Sequence, residues 1–120
     1  MELDDSSTTF ATVKSLIEKF IQDRDWKRFH TPRNLAESIS IESAELLEIF
    51  QWITTDEAHL MKNAANFERL QEELADILIY CISMFNAIGT DIVKALVDKI
   101  QKNETKYPSE VSKGTYSKMG

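Results

Sequence analysis

Proline, glycine and cysteine are scarce in this 120-residue chain, at two, three and one. So little Pro and Gly, beside long stretches rich in Glu, Leu, Ala, Ile and Lys, disfavours a turn-rich β-protein and favours an all-helical one. The single cysteine, Cys81, cannot close an internal disulfide, and its place in an apolar run suits a core thiol in a reducing compartment. Long apolar runs are missing as well. The longest near-apolar stretch, 77–85, is about half of what a membrane span requires. The acidic, polar segment from Met1 to Thr9 does not look like a signal peptide. A soluble, cytoplasmic protein without a membrane partner is therefore expected. Basic charge is also short, with 14 Lys and Arg against 20 Asp and Glu and a net charge of −6. A non-specific nucleic-acid binder needs a basic surface, so that class is set aside. A mononucleotide ligand is not, because metal cations bridge two sets of negative groups.

What is present is enough apolar residue, 42%, to bury one core, and the length suits one domain. Residues 1–8 read as a disordered lead-in, 9–108 as the helical domain and 109–120 as a polar tail. Ser6, Ser7, Thr8 or Thr9 can cap a first helix, on which Phe10, Val13, Leu16, Ile17, Phe20 and Ile21 recur at helical spacing to about Asp25. Residues 26–33 lack a period and contain Pro32, two aromatics and a histidine, so they read as an ordered loop. Asn34 is the expected cap of a second helix over 35–53. Thr54 to Asp56 make the next break. A helical stretch over 57–87 follows, interrupted near Lys62–Asn66, and ends at Gly89 with Thr90 as a new cap. A last helix over 91–105 stops at Tyr107-Pro108. Four main helices with short connections predict a four-helix bundle.

Two acidic pairs carry the functional reading. Glu42 and Glu45, and Glu73 and Asp76, each stand at i and i+3 and so share a helix face. Most such acids are solvated. Here, at about 100° per residue, Glu42 lies near Ile49 and Ile53 on its wheel, and Glu45 near Trp52. Tyr80 falls between Glu73 and Asp76, with Ile77 and Met84 flanking Glu73. Carboxylates on an apolar arc must neutralise or find a cation. Four of them with all-oxygen ligation suit Mg²⁺, or Mn²⁺, rather than Zn²⁺, and Mg²⁺ commonly completes its shell with phosphate oxygens. A di-iron bundle needs Glu-x-x-His, and neither His30 nor His59 follows a Glu by three positions. Trp26, Phe29, His30, Trp52 and Tyr80 can build a pocket for a flat base. Lys27, Arg28, Arg33, Lys99, Asn103, Lys106, Lys113 and Lys118 are candidates to meet phosphate or ribose, although each is more commonly a solvated surface group. His59 has no identified partner.

Glu42-x-x-Glu45 followed after 27 residues by Glu73-x-x-Asp76 resembles the signature of the MazG-like, all-α nucleoside triphosphate pyrophosphohydrolases. The segments 24–35, 45–52, 70–80 and 99–108 look like the dCTP pyrophosphatase branch. The resemblance covers about residues 10–118. It implies a dNTP, dCTP-like by preference, cleaved to monophosphate and pyrophosphate, with Mg²⁺ dependence and a homotetramer, a dimer of dimers with sites between subunits. By position, Glu42, Glu45, Glu73 and Asp76 would bind metal, and Trp26 to His30, Trp52 and Tyr80 would line the nucleotide site. Glu42 or Glu45 would also be catalytic, orienting or deprotonating water. The branch usually carries Lys-Tyr near the tail's end, where this chain has Lys118-Met119 with Tyr116 displaced. Ile17 stands where some relatives carry a polar residue near the base. The rival expectation is a non-catalytic helical oligomerisation or nucleotide-sensing module, with solvated acids and Trp side chains as interface anchors.

Overall fold

The structure, a computed structural model, describes residues 2–52 and 62–114. Among them there are helices and turns and no strand, as the scarcity of Gly and Pro predicts. The chain divides into two compact units, Met1–Gly89 and Thr90–Gly120.

In the first unit, α1 spans Phe10–Asp23. Thr9 starts it, its hydroxyl oxygen accepting the Thr12 N–H at 3.2 Å, which satisfies one of the donors a helix leaves open at its first turn. Ahead of it the Asp4 carboxylate accepts the backbone N–H groups of Ser6 and Ser7 and both serine hydroxyls, organising a turn. α1 ends in a paired cap. Trp26 N–H donates to Ile21 O at 3.1 Å and Asp25 N–H to Gln22 O at 3.0 Å, around Asp25 at φ 54°. This is the Schellman arrangement, with Asp in the left-handed position that Gly usually takes. It turns the chain sharply and delivers Trp26 to the start of a short 3₁₀ turn, Lys27–Phe29.

α2 spans Pro32–Glu48. Its cap is Thr31, whose hydroxyl oxygen accepts the Asn34 N–H at 3.3 Å, and not the expected Asn34. Proline decides this: its fixed φ and missing N–H favour the first helical position. The Asn34 amide instead donates to Phe29 O at 2.9 Å and ties the helix start to the 3₁₀ turn. The helix also stops at Glu48 rather than at 53. Ile49, Phe50 and Gln51 each donate back three residues, to Leu46, Leu47 and Glu48, so the last turn tightens. Trp52 then takes φ 70°. Trp52 is therefore off the helix, and its predicted wheel position beside Glu45 does not apply. The expected break at Thr54–Asp56 lies outside the described residues.

α3, Ala64–Ile88, is capped by Asn63, whose side chain accepts the Asn66 N–H at 3.1 Å, where the interruption is expected. Gly89 closes it in the left-handed conformation, φ 71°, donating to Phe85 O at 2.9 Å. α3 packs along α2 and, less extensively, along α1. Ile17 and Ile21 of α1, Leu35 of α2, Ile49, and Ile82 of α3 are the buried apolar residues of this unit. Asn86 of α3 donates to Lys14 O of α1 at 3.3 Å. Arg69 of α3 reaches Glu48 of α2 at 3.4 Å. The central place predicted for the apolar helix is the place α3 holds in this unit.

In the second unit, α4 spans Ile92–Lys106 and α5 spans Ser109–Ser112. Asp91, and not Thr90, caps α4, accepting the Lys94 N–H at 2.8 Å. No single helix among the described residues is long and apolar enough to cross a membrane.

Candidate metal centre and nucleotide site

The close pairing of α2 with α3 faces Glu42 toward Glu73 and Asp76. One carboxylate oxygen from each of these three lies within 4.8 Å of the others. Glu42 and Glu73 are half-buried and Asp76 is exposed. Glu45 stands beside the group, its carboxyl within hydrogen-bonding reach of both Glu42 and Glu73. The four acids expected to act together are thus brought together, three of them as a compact triangle.

The electrostatics follow. Partial burial, the hydrogen bond to Glu45 and the charges of Glu45, Asp76 and Glu73 push the Glu42 carboxyl from its ordinary 4.5 up to about 7. Glu73 is raised for the same reasons, with Arg69 acting against the shift. Oε2 of Glu42 and Oε2 of Glu73 are both buried and have no hydrogen-bond partner. A buried carboxylate oxygen without a donor is costly. A hard divalent cation removes that cost, since it takes oxygen ligands and offsets the mutual repulsion. The donor set therefore fits Mg²⁺ or Mn²⁺.

The expected base-binding residues fall in two places. His30 and Tyr80 come together, ring centroids 6.5 Å apart and tilted by 35°, with Tyr80 one turn along α3 from Asp76. Trp26 packs edge-on against Phe20 of α1 at 5.8 Å, and the Arg24 guanidinium lies over the Phe20 ring at 3.7 Å. Arg28 covers the exposed Phe29 ring at 4.8 Å and pairs with Asp25 at 3.5 Å. Lys27 pairs with Glu18 of α1 at 3.0 Å, and Arg33 with Glu37 at 3.3 Å. Trp52 is not gathered with these residues in the chain as described: it is 92% exposed. Lys99 and Asn103 lie one turn apart on α4, in the second unit, both exposed. Lys106 sits over the Tyr107 ring at 5.6 Å, and Lys113 follows α5. His59, Tyr116 and Lys118 lie outside the described residues. Cys81 is a free, half-buried thiol.

Sequence reasoning missed a small cavity of about 170 Å³ beside His30, lined also by Glu18, Lys27, Ser83 and Asn86. Its one sequence signal was Ser83, a lone hydroxyl inside the apolar run of α3.

Among the described residues the chain is helical, and between two packed helices it gathers an acidic, all-oxygen cluster that could hold a cation. The family model of the MazG-like family matches residues 37–120, which include all four acids. The chain belongs to the MazG-like family. It is 36% identical over 114 residues to dCTP pyrophosphatase 1 of Rattus norvegicus, covering 92% of this chain and 65% of that protein. The corresponding figures for dCTP pyrophosphatase 1 of Bos taurus are 37% over 115 residues, 94% and 68%. The chain thus spans about two thirds of the length of these relatives. A crystal structure of a pyrophosphatase from Archaeoglobus fulgidus is 36% identical and superposes with a TM-score of 0.76, over 89% of this chain and 99% of that one.

Proposed function

We propose that this chain is a nucleoside triphosphate pyrophosphohydrolase that cleaves a dNTP, dCTP-like by preference, to the monophosphate and pyrophosphate with Mg²⁺ as cofactor. The observation that carries the reading is the triangle of Glu42, Glu73 and Asp76 oxygens with two buried, unpartnered oxygens among them. The relatives named dCTP pyrophosphatase 1 support the substrate class. When bound, the divalent cation would supply neutralisation of phosphate charge and acidification of water.

The chain's own residues do the rest. Glu42, Glu73 and Asp76, with Glu45 beside them, hold the cation. Glu42 or Glu45 orients the attacking water toward the α-phosphorus and takes its proton. Tyr80, His30 and the 26–29 segment hold the sugar and base, and Trp52, exposed in the single chain, is the residue the homotetramer would have to bring to them. Lys99, Lys106 and Asn103 are the phosphate-binding residues in this proposal. Housekeeping of the nucleotide pool in the cytoplasm is the role that follows.

The protein is also proposed to work as a homotetramer. Val93, Leu96, Val97 and Ile100 form an exposed apolar stripe along α4, and Ile41, Leu47, Leu74 and Leu78 are exposed on α2 and α3. Apolar faces of that extent mark association surfaces.

The test is pyrophosphate release from the common dNTPs and NTPs, 5-methyl-dCTP and dUTP in Mg²⁺, with an EDTA control. Metal-dependent release, fastest with a cytosine nucleotide, is expected. Triphosphate-dependent, Mg²⁺-dependent thermal stabilisation without any release would convert the reading to a nucleotide sensor.

A further inference from the structure

α2 and α3 run antiparallel: Glu42, within α2, meets Glu73 and Asp76, and Glu48, at the end of α2, meets Arg69. On α3, Arg69, Glu73, Asp76 and Tyr80 follow one another at steps of four, three and four. At about 100° and 1.5 Å per residue they share one stripe, about 60° wide and about 16 Å long. The two ends of the stripe differ. At the Tyr80 end lies His30, its ring centroid 6.5 Å from that of Tyr80. At the other end, one turn before Glu73, lies the exposed side chain of Arg69, whose Nη2 donates to Glu48 Oε2 at 3.4 Å. Glu73 and Asp76 stand between.

Fastening α2 to α3 is a weak role for this arginine. The two side chains are 44% and 62% exposed, the contact is long for a charged hydrogen bond, and exposed ion pairs add little to stability. Such a pair is easily exchanged for a stronger one. Arg69 also acts toward the acids, since its charge opposes the rise of the Glu73 carboxyl. A planar guanidinium binds two phosphate oxygens at once, whereas Glu48 meets it through a single oxygen. Direction completes the argument. With the base at Tyr80 and His30 and the α-phosphorus at the acids, the remaining phosphates extend away from the base, toward Arg69.

We propose that Arg69 exchanges Glu48 for the β- and γ-phosphates of the substrate, the half that departs as pyrophosphate. The inference rests on the proposed function and adds a leaving-group contact from α3. In that reaction the water oxygen bonds to the α-phosphorus and its proton passes to Glu42 or Glu45. The bond from that phosphorus to the α–β bridging oxygen breaks, and the electron pair leaves with that oxygen on pyrophosphate. The charge that develops there lies beside the guanidinium, and a cation already in place stabilises it. Glu48 is the partner that holds Arg69 when no phosphate is present.

The experiment titrates the full chain in Mg²⁺ with two probes, inorganic pyrophosphate and dCMP, for the wild type, Arg69→Ala and Glu48→Gln. Arg69→Ala should weaken pyrophosphate binding at least about tenfold, the loss of a charged hydrogen bond, and leave dCMP binding within about twofold. Glu48→Gln frees the guanidinium and should tighten pyrophosphate binding, by up to about fivefold, the range of an exposed ion pair. A fastening between helices predicts the opposite: both variants break the pair, so both weaken binding alike. That result would overturn the inference. So would a wild type that does not bind pyrophosphate, a folded Arg69→Ala that binds it as the wild type does, or a loss of dCMP affinity in its place. Should Arg69→Ala not fold, the sign of the Glu48→Gln shift decides. Release of pyrophosphate from dCTP with unchanged kcat/KM in Arg69→Ala sinks this inference and leaves the proposed function. Pyrophosphate binding that depends on Arg69, with no release from any triphosphate, does the reverse.

Discussion

The most informative perturbation is Glu42→Gln in the metal-free protein, because it should stabilise the fold while removing the function. The Glu42 carboxyl is moved from 4.5 to about 7. Below 4.5 it is neutral in both folded and unfolded states and contributes nothing. As the pH rises through that interval the unfolded chain ionises first, so the fold loses stability, and the full cost is present above about 7. At 1.36 kcal/mol for each pH unit of displacement the ceiling is about 3 kcal/mol. Glu42 is only half-buried, so solvent screening brings this to about 1–2 kcal/mol. For a chain of this size that is about 4–8 °C in Tm. Glutamine keeps the shape and carries no charge. In EDTA at pH 8, Glu42→Gln should therefore melt about 4–8 °C above the wild type, and at pH 4.5 the two should nearly coincide. Adding Mg²⁺ at about 100 times its Kd should stabilise the wild type by about 2.7 kcal/mol and the variant far less. Thermal unfolding followed by circular dichroism reads all of these. A variant that melts below the wild type at pH 8 in EDTA would refute the claim that Glu42 is held against repulsion in the metal-free fold.

Other outcomes follow from the same geometry. Glu45→Ala and Asp76→Ala should each lower pyrophosphate release from dCTP by more than about 100-fold, measured by a coupled pyrophosphate assay, with little change in helical content. Thr31→Ala removes the oxygen that accepts the Asn34 N–H and should cost about 1 kcal/mol in urea unfolding. Gly89→Ala should cost about 1–2 kcal/mol, because φ is 71° and left-handed backbone penalises a Cβ. Open space surrounds that position, so Gly89→Asn, which tolerates the conformation, should recover part of the loss.

The acid pairs were readable from the sequence because two signals coincide there. The i, i+3 spacing puts each pair on one face, and the apolar residues around them predict that this face is partly buried. The end of α3 was readable because Gly89 is a strong stop signal, whereas its start at Ala64 was legible only as an interruption near Lys62–Asn66 in a longer helical stretch. The start of α2 was ambiguous, since Thr31 and Asn34 are both capping residues, and only the constraint imposed by Pro32 separates them. The end of α2 was misjudged because the wheel assumes an unbroken helix. The back-bonded turns at 49–51 and the left-handed Trp52 carry no strong breaker in the sequence. The left-handed Asp25 was hidden for the same reason, as no Gly marks it. The cavity at Ser83 and His30 depends on how α3 and α1 pack, which no local pattern encodes.

Direct titration of the protein with Mn²⁺, followed by electron paramagnetic resonance, addresses the metal centre itself. The wild type should take up Mn²⁺ saturably and release it to excess Mg²⁺, and Glu73→Gln, which neutralises one corner of the triangle while keeping its size, should lose that binding. Uptake of equal affinity in the wild type and Glu73→Gln, or none in the wild type, would contradict the assignment of Glu42, Glu73 and Asp76 as the cation's ligands.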